Sequence, residues 1–87
     1  MIVARNPATA WRVIAGEAVV LALDSKTLRG LNPAGSRVWE LIDGRRSTEE
    51  IAAQLVEEFE VDPARAREEV ETFVRQLLSN GLLTETA

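Results

Sequence analysis

The spacing of apolar and polar positions changes period near residue 32. Before that point, short apolar runs alternate with turn residues. Trp11-Arg12-Val13-Ile14 leads through Ala15-Gly16-Glu17 into Ala18-Val19-Val20-Leu21-Ala22-Leu23. A glycine beside a polar residue between two apolar runs marks a tight hairpin. Asp24-Ser25-Lys26 is a second turn, and Thr27-Leu28-Arg29-Gly30-Leu31 a short third strand. The pattern predicts a three-stranded antiparallel meander. In its middle strand Val19, Leu21 and Leu23 share one face, and Ala18, Val20 and Ala22 the other, because side chains alternate along a strand. Apolar residues on both faces predict a central strand covered, or partly covered, on each side. The first ten residues, with Asn6-Pro7 as a turn or extended signal, are predicted to be irregular.

From Asn32 onward the period is helical. Asn32-Pro33 is an N-cap followed by proline at the first helical position, where its missing N–H costs nothing. Ala34, Val38, Leu41 and Ile42 fall on one stripe, and Gly44 marks the stop. Gly35 lowers helix propensity by roughly 1 kcal/mol relative to alanine, a cost that a close contact at that position would offset. Ser47-Thr48-Glu49-Glu50 is a capping box, and its helix carries Ile51, Ala52, Leu55, Val56 and Phe59 inward. Asp62-Pro63 opens a third helix with Ala66, Val70, Phe73 and Leu77 as the inner stripe. Asn80-Gly81 ends it, and Leu82 and Leu83 are expected to fold back onto the core. Three strands followed by three capped helices predict one α+β domain over residues 1–87, with a core at about 11–83. Its outline is winged-helix-like, with the wing moved to the N-terminus.

Composition narrows the chemistry. The chain has 87 residues, enough for one domain, and 46% are hydrophobic, ample for a packed interior. It contains no Cys, His or Tyr. Disulfides, thiolate nucleophiles, imidazole bases and nearly all transition-metal ligands are therefore absent together. Glu57, Glu58 and Glu60, with Glu68, Glu69 and Glu71, resemble paired carboxylates. They fall on exposed helical faces without the apolar enclosure that raises a pKa, and read as solvated. The net charge of −4 gives the chain as a whole no bias toward phosphate backbones. No catalytic residue, cofactor or metal site is expected, so the chemistry favours binding over catalysis. The longest apolar stretch, residues 18–23, is far short of the roughly 20 residues that span a bilayer. Met1-Ile2-Val3-Ala4-Arg5 lacks the layout of a secretion signal, and a cytoplasmic location without membrane contact is expected.

The order of these elements, with particular residues at their junctions, resembles the PqqD-like family. The likeness is carried by Leu31-Asn32 at the strand–helix junction and by Val38-Trp39-Glu40-Leu41-Ile42-Asp43-Gly44 followed by Ser47-Thr48-Glu49-Glu50-Ile51. Val70-Glu71-Thr72-Phe73-Val74 and the close on Leu77-Leu78-Ser79-Asn80-Gly81-Leu82-Leu83 complete it. It spans about Trp11 to Leu83. The resemblance implies a recognition element for ribosomally made, post-translationally modified peptides, as in pyrroloquinoline quinone biosynthesis or a related pathway. Such a module holds the leader segment of a precursor and presents it to a modifying enzyme, often a radical SAM enzyme. The leader lies as an added strand along the third strand, beside the third helix. Carried over, Thr27, Leu28, Arg29, Gly30 and Leu31 form one wall of the groove. Arg67, Glu71, Val74 and Leu78 form the other, and Arg29, Arg67 and Arg75 favour an acidic leader.

The residues alone supply an open strand edge, which is a template for strand addition. Several positions also have plainer readings. Trp11 and Trp39 read as packing residues, and Arg45-Arg46 as a solvated turn. Gly30 marks either a bulge or a strand end. Val74 and Leu78 either widen the core face or line the groove. Two other functions fit the outline. A winged-helix DNA binder needs early basic residues on its recognition helix, where Asp62-Pro63-Ala64-Arg65-Ala66-Arg67-Glu68-Glu69 offers two arginines against three acids. A protein–protein module, including a homodimer through the same open edge, would read identically in sequence.

Overall fold

Two successive residues with positive φ, Ala15 at 53° and Gly16 at 82°, reverse the chain between β2 (Thr9–Ile14) and β3 (Glu17–Ala22). This is the type I′ geometry that matches the natural twist of a hairpin, and it sets Ile14 opposite Glu17. A second reversal brings β4 (Thr27–Gly30) against the other side of β3, with Val20 opposite Arg29 and Leu21 opposite Leu28. The computed structural model describes residues 1–86. Its larger sheet has the order β2-β3-β4, antiparallel throughout.

Three helices follow: α1 (Pro33–Leu41), α2 (Thr48–Phe59) and α3 (Pro63–Ser79). Each begins at a side-chain cap. Asn32 accepts from the Gly35 N–H at 2.7 Å, and Asp62 from the Arg65 N–H at 3.1 Å. Ser47 and Glu50 form the reciprocal capping box, at 3.1 and 2.9 Å. These contacts satisfy N–H groups that a helix start leaves unpaired. α1 ends before Gly44, with Ile42 in an extended conformation. α2 ends on Glu60 in the left-handed region.

The fold is α+β with three helices, but its strands exceed the sequence pattern. Residues read as irregular contain β1 (Val3–Arg5), which pairs with β5 (Leu83–Glu85) after α3 in a separate antiparallel ladder. Val3 is fully buried there, and Leu82 and Leu83 return to the core as expected. Ile51, Leu77, Ile42, Trp39 and Val20 fill the interior between the inner face of β3 and the helices.

Other inward assignments are corrected. Ala34 is exposed, and Gly35 and Ser36 are buried in its stead. Phe59 is 42% exposed at the end of α2. Val56 and Phe73 are half-buried at the core margin. The sheet is covered on one face only. Ala18, Val20 and Ala22 are buried, whereas Val19 and Leu21 are half-buried and Leu23 is exposed. Trp39 is a core residue, while Trp11 lies partly open with its ring edge-on to Trp39 and the Arg5 guanidinium 4.9 Å from its centroid.

Candidate functional site

The hydrogen-bonding direction of each β4 residue follows from one contact. Leu31 donates to the Ala18 carbonyl at 2.8 Å. Main-chain groups alternate sides along an antiparallel strand, so Arg29 and Thr27 also face β3. The N–H and C=O groups of Leu28 and Gly30 therefore point to the open edge, where no strand of the described residues pairs with them. Leu28 is correspondingly 67% exposed, with its side chain on the uncovered face beside Leu21.

Arg29 occupies the opposite face, toward α3. Its guanidinium lies 5.9 Å from the Phe73 ring centroid and donates to Gln76 Oε1 at 3.4 Å. A cleft of about 390 Å³ runs between β4 and α3, lined by Arg29, Thr72, Arg75, Gln76, Ser79 and Asn80. Phe73 also borders a smaller hollow of about 130 Å³, with Val38, Leu55, Val70 and Gly35 around it. Gly35 permits this close approach: a Cβ there would meet Phe73 Cζ at 3.1 Å and Asn32 Oδ1 at 3.0 Å. The contact expected from the helix-propensity cost of Gly35 is thus present.

The residues predicted for the groove divide into separate groups. Thr27, Leu28, Arg29 and Gly30 line the strand edge, while Leu31 is buried in the core. Val74 is fully buried, so of its two readings the core one holds. Leu78 is half-buried and packs against the core. Arg67, Glu71, Arg75 and Leu78 line a different hollow of about 420 Å³, shared with Met1, Thr48, Glu49 and Glu85. Arg75 borders both spaces and is tied to Glu71 at 2.7 Å, which raises its pKa above the ordinary value. The helix period explains the division. Positions 67, 71 and 78 follow one flank of the buried stripe, and positions 69, 73 and 76 follow the other. β4 meets the second flank. Gln76 is a groove-side residue that the sequence pattern does not single out, and Phe73, expected on the inner stripe, lies at the core margin beside Arg29.

The acidic residues do not converge. Glu58 is held below its ordinary pKa, chiefly by the Arg37 side chain at 2.8 Å, the reverse of what a general acid needs. Glu69 pairs with Arg65. Among the described residues no group of three or more carboxylates is placed to hold a metal ion. No helix of the described residues is long and apolar enough to cross a membrane.

Comparison with known proteins agrees with this fold. Residues 17–83 match the family described as coenzyme PQQ synthesis protein D (PqqD). A solved structure described as TbiB1 in complex with the TbiA(beta) leader peptide is 31% identical, with a TM-score of 0.88 over 97% of this chain and 98% of that chain. Another, lasso peptide synthetase B1 complexed with the leader peptide, is 20% identical, with a TM-score of 0.86 over 98% of this chain and 100% of that one. A heterocyclase in complex with substrate and cofactor shares the fold at 22% identity and a TM-score of 0.66. That match covers 100% of this chain but 11% of the heterocyclase. No curated protein matches the chain significantly.

Proposed function

The chain belongs to the PqqD family, and on that premise we propose that it is a non-catalytic adaptor that holds the leader segment of a ribosomally made precursor peptide. The leader adds as a strand to the open edge of β4, beside α3, and is presented to a modifying enzyme of the radical SAM kind in the cytoplasm. The observation that carries this reading is the unpaired edge at Leu28 and Gly30, running along a cleft whose far wall is α3. The 31% identical structure, solved as a leader-peptide complex, supports the ligand class.

The energetics fit a carrier that must release its cargo. Leu28 and Gly30 offer four main-chain groups, each worth about 0.5–1.5 kcal/mol when paired. Two aliphatic anchors at about 1.5–3 kcal/mol each bring the gross gain to roughly 5–12 kcal/mol. Ordering a flexible leader offsets about 2–5 kcal/mol, and lost translational freedom offsets more. The net gain falls well short of the roughly 16 kcal/mol of picomolar binding, so the leader is held reversibly.

The test is calorimetric titration with synthetic leader segments from the short reading frames that neighbour the gene. Leu28→Pro removes a donor at the open edge without touching the β3 ladder, and is expected to abolish binding with the circular dichroism spectrum intact. Glu57→Ala, on the exposed face of α2, is expected to bind as the parent does. Equal binding by the two variants would end the strand-addition reading. A chain that self-associates through the edge and binds no leader would favour a dimerisation module.

A further inference from the structure

The cleft beside the open edge differs in charge from the helix that builds it. α3 carries Glu68, Glu69 and Glu71, yet no carboxylate lines the cleft, whose two charged residues are Arg29 and Arg75. Arg75 is already engaged with Glu71. Arg29 forms no ion pair among the described residues, in a chain with fourteen acids and ten bases. Its two contacts, the long bond to Gln76 and the ring of Phe73, leave most of its five donors free. It is also half-buried, where water screens a charge less than at an open surface.

We propose that Arg29 is a specificity-determining residue that reads a carboxylate side chain in the bound strand. The leaders this chain accepts then carry Asp or Glu directly across from Arg29. This inference rests on the leader-binding reading above. With Leu28 and Gly30 exchanging main-chain bonds with an antiparallel strand, the residue across from Arg29 sits in a non-hydrogen-bonded pair, where facing side chains approach most closely. Its side chain enters the cleft on the face that Arg29 occupies, and the carboxylate replaces Gln76 as acceptor. The next residue on that face, two positions away, turns toward Phe73 and the mainly apolar hollow beside it, which Glu69, tied to Arg65, also lines. The signature is an acid and an apolar residue separated by one position. Arg67, on the other flank of α3, has no part in it.

A selection from random peptides by mRNA display tests this, since it needs no natural leader sequence. The full chain, Arg29→Gln, Arg29→Glu and Leu28→Pro are used in parallel as bait. The parent chain is expected to enrich peptides with Asp or Glu two positions from an apolar residue. Those peptides should bind Arg29→Gln roughly tenfold more weakly, the usual scale for one charge-assisted contact. Arg29→Glu should shift enrichment to Lys and Arg at the same position. Enriched peptides without an acidic preference, or a preference that survives Arg29→Gln, would overturn the proposal. In that case loss of the same peptides by Leu28→Pro would leave strand addition standing. Failure to enrich any peptide would overturn both readings.

Discussion

The hydroxyl of Ser36 joins a strand and a helix that would otherwise leave two polar groups facing the core. It accepts from the Ala18 N–H at 2.6 Å and donates to the Leu31 carbonyl at 3.2 Å, between the ends of β3 and β4. Ser36 is 2% exposed, so water has little access to replace it. Ser36→Ala removes both bonds with almost no change in volume. It is expected to cost about 1–3 kcal/mol in urea denaturation, the desolvation penalty of buried groups left unpaired. Nothing local in the sequence marks this role, because the two partners lie on segments that only the fold brings together. The groove-side places of Gln76 and of Phe73, which the period puts on the inner stripe, were illegible for the same reason. The helical period identifies α3's buried stripe, and it separates two flanks. Which flank β4 lies against depends on how the sheet packs.

Helix starts are the elements most legible in the chain. Asn32, Ser47 and Asp62 each act on an N–H three residues ahead, so the signal and its structural effect fall within one turn. The capping box should therefore respond as a local unit. Ser47→Ala is expected to lower stability by about 1 kcal/mol. In a domain of this size that corresponds to a thermal midpoint roughly 4–8 °C lower, readable by calorimetry. β2, β3 and β4 were legible because their turns are short and their apolar runs dense. β1 and β5 were not. Each has three residues, too few to show a period, and the partner of Val3 is Glu85 at the other end of the chain. Pairings that distant leave no mark in either segment alone.

Charge is distributed unevenly over the molecule. Residues 1–31 carry four bases and two acids, whereas residues 32–87 carry six bases and twelve acids. The acidic half is held together partly by Arg37 of α1, which binds Glu58 of α2 through two bonds at 2.8 and 2.9 Å. Arg37 holds the Glu58 carboxyl below its ordinary value of 4.5. Asp43 is lowered too, chiefly by the Arg46 backbone N–H. A carboxylate depressed in the folded state stabilises the fold above its unfolded pKa and loses that contribution as pH falls through the folded value. Stability is thus expected to be level near neutrality and to decline on acidification below about pH 4.5. Arg37→Met should make that decline shallower, as read by urea midpoints at neutral and acidic pH. The β1–β5 ladder has a further consequence for the architectures open to the molecule. Val3 and Glu85 are neighbours, so a chain entering the domain leaves it within about one strand spacing. A host protein could accept the domain in a surface loop without parting its own framework. Joining residues 1 and 86 by a short glycine linker and reopening the chain within residues 23–26 should likewise give a permuted protein with the same circular dichroism spectrum. Loss of folding in that permutant would show that the order of the chain, beyond the adjacency of its ends, is needed to assemble the domain.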